Sequence, residues 1–393
     1  MLINTTTNAS QLAGQAFPCA CGQTHTVSIS HIHIGKAALN HLAAMATPYA
    51  GSTVYLVGDE NTMPLILPSA LEELEKAGCK VFSHTLACPL GKHLITEEKL
   101  IGSMLMHMPP HTKLIVAAGS GTINDTARVL SAKCAIPYII AATAPSMDGY
   151  ASVTSAVVMD GGKKSVPLCA PVGIIGDTNI LKTAPDHMLA AGAGDMLGKY
   201  TALRDWELAA RETGEAWCAE IAGLVSLAAG RIAERLDNLF NRDEKTLAEL
   251  MDALVLSGLA ILLNGTSRPA AGLEHQIAHY FEVDALRRDF YGGLHGHYVG
   301  LSTLAACRLY EMAETEFDLP GKGKYPTYQQ MQALMAHLQP QINTKSLFIT
   351  PECFEHGILH AGQPEIRYTL ASYLEKKGCL KEYARRLTEE FFA

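Results

Sequence analysis

The chain has 393 residues, 48% hydrophobic and 18% charged, a composition that excludes an intrinsically disordered protein and is typical of a globular one. Its formal net charge of -8 excludes nucleic acid as a main partner, because phosphate binding requires a basic surface. The polar N-terminus and the absence of an apolar run of about 18 residues predict neither a signal peptide nor a membrane span. Ten scattered cysteines favour reduced thiols and a cytoplasmic location over a disulfide framework.

The first feature in chain order is a cysteine pair, Cys19 and Cys21, with His25 shortly after it. Thiols and imidazoles are zinc ligands, but a structural zinc site needs four of them, and no second pair follows at zinc-finger spacing. An ordinary strand and turn is therefore the favoured interpretation of this segment.

From about residue 50, short β-branched runs alternate with amphipathic helices, a pattern typical of parallel βαβ units. The predicted strands are residues 54–57, 80–82, 113–116, 136–140 and 173–177, with helices predicted over 67–76, 97–106 and 126–130. Two apolar runs around Asp160-Gly-Gly162 predict a β-hairpin. The sequence therefore predicts an N-terminal Rossmann-like domain with a parallel sheet, residues 1–178.

Beyond about residue 180, strand patterns give way to long helical patterns, which include residues 216–240 and 245–263. Pro185 suits the first turn of a helix, and residues 380–392 have the pattern of a closing amphipathic helix. These patterns predict an all-α C-terminal domain, residues 179–393. The predicted fold class is α/β, with the helical domain following the sheet.

A glycine-rich turn, Gly119-Ser120-Gly121-Thr122, lies between a predicted buried strand and a helix, with Asp125 shortly after it. Backbone N–H groups at such a helix N-terminus can bind a pyrophosphate, although the third glycine of the Rossmann motif is missing. A tight turn without a ligand is the alternative. Asp59, at the end of an earlier strand, is a candidate to accept hydrogen bonds from an adenosine ribose, with an Asx turn as its alternative.

A polar loop, residues 143–152, follows the predicted strand that ends at Ile140. Open α/β sheets bind ligands outside the carboxyl ends of their strands. Asp148 and Ser152 are therefore candidate site residues, although turn chemistry alone would also account for them.

In the helical half, Asp195 stands in an apolar segment of small residues, 191–199, so we expect it to be buried. A buried carboxylate is paired, hydrogen-bonded or metal-bound, and an ion pair with Lys199 one turn later is one option. His275 and His279 share a helix face, and His295 follows His275 by twenty residues. The metal-bound option is favoured by the combination of Asp195, His275 and His295, because three such ligands with an open fourth position suit a catalytic divalent metal.

Five stretches in this order carry a family resemblance: GSGTIND at 119–125, TAPSMDGYAS at 143–152, AGAGDMLGKYTALRDW at 191–206, SRPAAGLEHQIAH at 267–279 and LHGHYVG at 294–300. Together they resemble the superfamily of iron-containing alcohol dehydrogenases and dehydroquinate synthase-like enzymes, and within it the bacterial glycerol-1-phosphate dehydrogenases. The resemblance covers both predicted domains.

The resemblance implies a divalent metal, usually zinc or nickel, on Asp195, His275 and His295, and substrate contacts from Asp148, Asp195 and His279. It implies NAD(P) contacts from the first domain: Asp59, Gly119, Ser120, Gly121, Thr122, Ile123, Asn124, Asp125, Thr143, Ser146 and Ser152. The implied reaction is the reduction of dihydroxyacetone phosphate, a small phosphorylated triose, to glycerol 1-phosphate by a homodimer. Lys199 and Arg268 are candidates for the substrate phosphate by charge and position, with a solvated surface position as the alternative.

Three other functions remain open at this point. A glycerol or other polyol dehydrogenase and a dehydroquinate synthase-like cyclase share the implied fold, cofactor and metal. A cyclase differs because it regenerates its NAD within each turnover and shows no net oxidation of NADH. A nucleotide- or metabolite-binding protein without catalysis would bind NADH but turn over no ketone.

Overall fold

The computed structural model describes residues 4, 6–88, 93–160, 162–288, 290, 293–362 and 367–393. The strands are β1 (Ala16–Pro18), β2 (Thr24–Thr26), β3 (His31–Gly35), β4 (Thr53–Asp59), β5 (Lys80–Leu86), β6 (Thr112–Gly119), β7 (Tyr138–Ala142), β8 (Thr154–Met159), β9 (Gly162–Pro167) and β10 (Gly173–Asp177). Short 3₁₀ helices cover Ala38–His41, Thr47–Tyr49, Gly149–Ala151 and Leu236–Asn241.

The α-helices lie between and after these strands. They are α1 (Ala9–Leu12), α2 (Leu42–Ala46), α3 (Met63–Lys76), α4 (Glu98–His107), α5 (Gly121–Cys134), α6 (Thr178–Leu181), α7 (Asp186–Thr213), α8 (Ala219–Ala233), α9 (Glu244–Asn264), α10 (Leu273–Arg287), α11 (His295–Ala313), α12 (Tyr328–Ala336), α13 (Pro351–Leu359), α14 (Leu370–Lys376) and α15 (Leu380–Phe392). The predicted α/β fold, with a parallel sheet followed by helices, is confirmed.

Six strands form one parallel sheet in the order β3-β10-β7-β6-β4-β5. The central strands β6 and β7 are almost fully buried, as expected for a parallel sheet covered on both faces, while the edge strand β5 is largely exposed. The chain passes from β4 to β5 on one side and then continues with β6 on the other. This reversal places a topological switch point between β4 and β6, where open α/β sheets bind ligands.

The chain divides into two compact units, each discontinuous in sequence. The first comprises Met1–Pro18, Thr24–Leu189 and Asn238–Leu263, and contains the large sheet. The second comprises Cys19–Gln23, Ala190–Asp237 and Asn264–Ala393, and contains most of the later helices. The domain boundary near residue 178 stays a prediction.

Several predicted elements differ from the observed ones. Strand β3 lies before residue 50 and adds an edge strand that the sequence pattern did not reveal, because three of its five residues are polar or small. The single helix predicted over 216–240 ends at Ala233 and is followed by a 3₁₀ helix. The predicted hairpin is present as β8 and β9.

Helix α9 is, among the described residues, long and apolar enough by composition to cross a bilayer. Most of that stretch is buried within the structure, with Leu250, Leu254 and Leu259 inaccessible to solvent. Burial of this extent is typical of a core helix, so its composition is weak evidence for a membrane span.

Candidate active site

The second unit brings together the three predicted metal ligands from three helices. Asp195 lies on α7, His275 in the first turn of α10, and His295 at the first position of α11. One ligand atom from each lies within 4.8 Å of the others, and Asp195 Oδ1 is 3.6 Å from His275 Nε2. Asp195 is fully buried, as predicted. The structure thus assembles one carboxylate and two imidazoles around a single point.

Both imidazoles are oriented by neighbouring glutamates that the sequence analysis did not single out. His275 Nδ1 lies 2.7 Å from Glu274 Oε1, and His295 Nδ1 lies 3.1 Å from Glu282 Oε1. Carboxylates at Nδ1 fix the tautomer that leaves Nε2 as the ligating atom, the arrangement typical of metal-binding histidines. The sequence held a signal for Glu282, because it follows His275 by seven residues and so shares its helix face.

Lys199 forms the ion pair with Asp195 that the sequence offered as the alternative to metal binding. Its Nζ donates to Asp195 Oδ1 at 2.6 Å and to the carbonyl of Ala270 at 3.1 Å. Lys199 is fully buried, so the surface position proposed as its alternative is wrong. The ion-pair interpretation of Asp195 is therefore confirmed, and metal binding stays a prediction, since the same oxygen also faces His275.

His279 completes the predicted set, one turn after His275 on α10. Its ring centroid lies 6.2 Å from that of His275 and 5.7 Å from that of His295. His279, Glu282 and His295 form a second group whose ligand atoms lie within 4.8 Å of one another. His279 and His295 are both partly exposed.

Asp205 and Glu274 are fully buried acids near the cluster, and no local sequence pattern predicts their burial. Asp205 accepts hydrogen bonds from the Tyr310 hydroxyl at 2.7 Å and from the backbone N–H groups of Leu273 and Leu370. Burial raises the pKa of Asp205 to about 6, and the nearby Glu274 carboxylate acts in the same direction. Burial also raises the pKa of Glu274. These acids hold the start of α10 in place, since Glu274 accepts from Gly272 N–H and Asp205 from Leu273 N–H.

Arg268 was the second candidate for the substrate phosphate. It is buried and donates to the Glu215 carboxylate, with one nitrogen at 2.6 Å, and to the carbonyl of Tyr368 at 2.8 Å. The surface alternative is wrong here as well. The partners of the Arg268 guanidinium are thus protein groups, the Glu215 carboxylate and the Tyr368 carbonyl.

In the first unit, the glycine-rich turn lies at the carboxyl end of β6, directly before α5. Gly119 is required there, because a Cβ at this position would lie 2.6 Å from the side chain of Ile123. Thr122 Oγ1 donates to the carbonyl of Leu94 at 3.2 Å. The turn thus presents the N-terminus of α5 at the edge of the sheet, as expected for a pyrophosphate site.

Asp125, four residues after Gly121, is held by several partners. Its carboxylate accepts from Arg128 at 2.6 Å and from Ser155 at 3.2 Å, and burial raises its pKa. Arg128, itself fully buried, also donates to the carbonyls of Thr154 and Gly149. The pair therefore ties α5 to the segment that follows β7.

Asp59 lies at the carboxyl end of β4, the neighbour of β6 at the switch point. Its Oδ1 accepts from the backbone N–H groups of Asn61 at 2.8 Å and Thr62 at 2.9 Å. The Asx turn offered as the alternative is therefore present. It places the aspartate at the same sheet edge as the glycine-rich turn, where a ribose contact is predicted.

The loop after β7 lies at the same side of the sheet, where the carboxyl ends of the strands are. The backbone N–H of Thr143 donates to the carbonyl of Gly119 at 3.1 Å, which joins the loop to the glycine-rich turn. Ser146 and Ser152 are buried, and Ser152 Oγ lies 3.0 Å from Thr154 Oγ1. Asp148 accepts from Ser257 on α9 at 2.9 Å, a partner more than one hundred positions away that no local pattern could reveal.

Comparisons with known proteins identify the family of the chain. Residues 33–185 match the family model described as iron-containing alcohol dehydrogenase. The chain is 33% identical to the glycerol-1-phosphate dehydrogenase [NAD(P)+] of Geobacillus stearothermophilus, over 75% of this chain and 73% of that protein. It is 31% identical to the enzyme of the same name from Bacillus licheniformis, over 92% and 93% of the two chains.

Among solved structures, glycerol dehydrogenase from Schizosaccharomyces pombe is similar with a TM-score of 0.68 and 18% sequence identity, covering 92% of this chain and 91% of that one. At this identity the likeness concerns the fold alone. The sequence identities extend over most of both chains and include both units. The chain therefore belongs to the glycerol-1-phosphate dehydrogenase family of NAD(P)-dependent oxidoreductases.

Proposed function

We propose that the chain reduces dihydroxyacetone phosphate to sn-glycerol 1-phosphate with NAD(P)H and catalyses the reverse reaction. The observation that carries this proposal is the convergence of Asp195, His275 and His295 in a chain 33% identical to a glycerol-1-phosphate dehydrogenase. Carboxylate and imidazole ligands with an open fourth position are typical of catalytic rather than structural metal sites.

These three residues fit one divalent cation, and we propose zinc or nickel. Each imidazole has a carboxylate at Nδ1, which favours Nε2 as the ligating atom of both histidines. When bound, the cation would act as a Lewis acid that polarises the C2 carbonyl of the substrate.

The chain's own residues would bind and orient the substrate. His279 lies on the partly exposed side of the cluster, and we assign it to hydrogen-bond the C2 oxygen and to exchange a proton with solvent. Lys199 is fully buried and its charge is balanced by Asp195, so we assign it to holding that carboxylate in place rather than to the substrate phosphate. Asp148, oriented by Ser257, is assigned to the substrate hydroxyl groups.

We assign the cofactor to the sheet edge at the switch point between β4 and β6. The pyrophosphate would lie against residues 119–125 at the N-terminus of α5, and the adenosine ribose against Asp59. Thr143, Ser146 and Ser152 border this edge through the loop after β7. The Asp59 carboxylate would repel the 2′-phosphate of NADPH and so favour NADH, but we propose that either cofactor can bind.

The test combines metal analysis with an NAD(P)H assay on the purified chain. Dihydroxyacetone phosphate is expected to be reduced far faster than dihydroxyacetone, and activity is expected to follow metal content. Asp195→Asn and His275→Ala should lose metal-dependent turnover yet still bind NADH, while His356→Ala, an exposed histidine, should keep both. Equal rates for the two ketones would assign a glycerol dehydrogenase instead.

Activity that survives in either ligand variant, with the metal absent, would contradict the proposed site. The cytoplasmic location and the homodimer stay predictions. Light scattering on the purified chain measures the assembly.

A further inference from the structure

Three cysteines distant in sequence meet in the second unit and share no residue with the Asp195 cluster. Cys19 and Cys21 lie in the loop between β1 and β2, and Cys218 is the residue before the first turn of α8. The sulfurs of Cys19 and Cys218 are 3.5 Å apart, and all three sulfurs lie within 4.8 Å of one another. The sequence could not reveal this group, because Cys218 follows Cys19 by 199 positions.

The sulfur separations suit a shared metal ion. Zinc binds thiolates at about 2.3 Å in a tetrahedron, so two thiolates on one zinc lie about 3.8 Å apart. The observed separation of 3.5 Å between Cys19 and Cys218 is close to this value and far longer than the disulfide bond length of about 2.05 Å.

The loop has the geometry needed to present two thiols together. Cys19 N–H donates to the carbonyl of Gln23 at 2.9 Å, and Gly22 N–H donates to the carbonyl of Cys19 at 3.0 Å, which closes a tight turn. Gly22 has a φ of 86°, a left-handed conformation that favours glycine. Residues Cys19–Gln23 pack with the second unit, whereas the residues on either side of them pack with the first.

Three thiols lie together here, and Cys218 among them is only 5% exposed. Neutral thiols form only weak hydrogen bonds. A divalent cation would instead hold all three as thiolates and release their protons on binding.

We propose that Cys19, Cys21 and Cys218 bind a structural zinc ion that ties the 19–23 loop to the start of α8. The spacing Cys19-x-Cys21-x₃-His25 nominates His25 for the fourth position. His25 is buried and its Nδ1 lies 2.9 Å from the carbonyl of Leu263, a contact that makes Nε2 the ligating atom. Four protein ligands make a closed site, which supports structure rather than catalysis.

Metal content and cobalt substitution of the full chain test this proposal. We expect two metal ions per chain, and in the cobalt form we expect thiolate-to-metal charge-transfer absorption in the near ultraviolet. Asp195→Asn should lose one metal ion and keep this absorption. Cys218→Ser should lose the other ion together with the absorption, and it should keep the metal-dependent turnover. This pattern separates failure of the zinc site from failure of the proposed enzyme activity.

Cys307→Ser is the matched control, because Cys307 is also a buried cysteine of the second unit but lies outside the group. It should keep both ions. Cys21→Ser, which changes an exposed ligand, replaces Cys218→Ser in this test if that variant does not fold.

The proposal is overturned by one metal ion per wild-type chain without thiolate absorption, or by a Cys19 to Cys218 disulfide in protein from a reducing cytosol. His25→Ala should release zinc to a chelator faster than wild type, and equal release would remove His25 from the ligand set.

Discussion

At the scale of single residues, the proposed metal site depends on side chains that contact the three ligand residues and not the metal itself. Glu274 accepts from His275 Nδ1 at 2.7 Å and from Gly272 N–H at 2.7 Å, and it is fully buried. Glu274→Gln keeps an acceptor oxygen but removes the negative charge that makes the imidazole a better ligand. Since loss of such partners weakens metal binding about 10- to 100-fold, we expect a loss of about 10-fold, measured by competition with a chelator.

Glu274→Ala, which also removes the acceptor, should come near the upper end of that range. Glu375→Gln makes the same change at an exposed glutamate and should bind metal as the wild type does. An unchanged metal affinity in Glu274→Gln would show that the charge of this carboxylate does not act on His275.

At the scale of elements, the small residues around Asp195 serve helix packing. A Cβ on Gly296 of α11 would lie 1.8 Å from the carbonyl oxygen of Ala191 on α7, and a Cβ on Gly194 would lie 2.5 Å from the carbonyl oxygen of Gly296. No local sequence pattern indicates this close approach of the two helices. The contact holds Asp195 and His295 near each other, because each is next to one of the glycines.

Gly296→Ala should therefore force α7 and α11 apart. Overpacking of a core costs about 1–3 kcal/mol and occasionally more, and a clash with backbone belongs at the upper end. Gly223→Ala on α8 is the matched control, since a Cβ there meets nothing within 4 Å and alanine is favoured over glycine inside a helix by about 1 kcal/mol. Urea unfolding should show a loss in the first variant and a small gain in the second, and equal stabilities would argue against the packing role.

The elements that the sequence predicted best are those with a local signal. Apolar runs predicted the buried strands β6 and β7, and the spacing of His275 and His279 placed both on one helix face. Contacts between distant segments had no such signal. Three such contacts join residues 105 to 199 positions apart and form only when the chain folds: Ser257 with Asp148, Tyr310 with Asp205, and Cys218 with Cys19.

At the scale of the whole molecule, the stability of the chain should carry a pH dependence set by Asp205. Its pKa is raised to about 6 in the folded chain, whereas an unfolded aspartate has a pKa near 3.8. The folded state therefore binds more protons than the unfolded state between these values. The stabilisation from protonated Asp205 is complete below pH 3.8 and is lost as the pH rises through 6.

Asp205→Asn removes this titration. It also lowers the free energy of unfolding by an amount that does not depend on pH, because the amide nitrogen would face another donor among Tyr310, Leu273 and Leu370. The free energy of unfolding of wild type minus that of the variant should fall by about 1 kcal/mol between pH 5 and pH 7.5, from the shift of about two pKa units. Urea unfolding of both proteins in one metal-free buffer at each pH measures this difference. Asp318→Asn, at an exposed aspartate, controls for the substitution itself. A difference that stays constant or grows with pH would show that Asp205 is already ionised in the folded chain at pH 5, and that its three donors hold the charge despite burial.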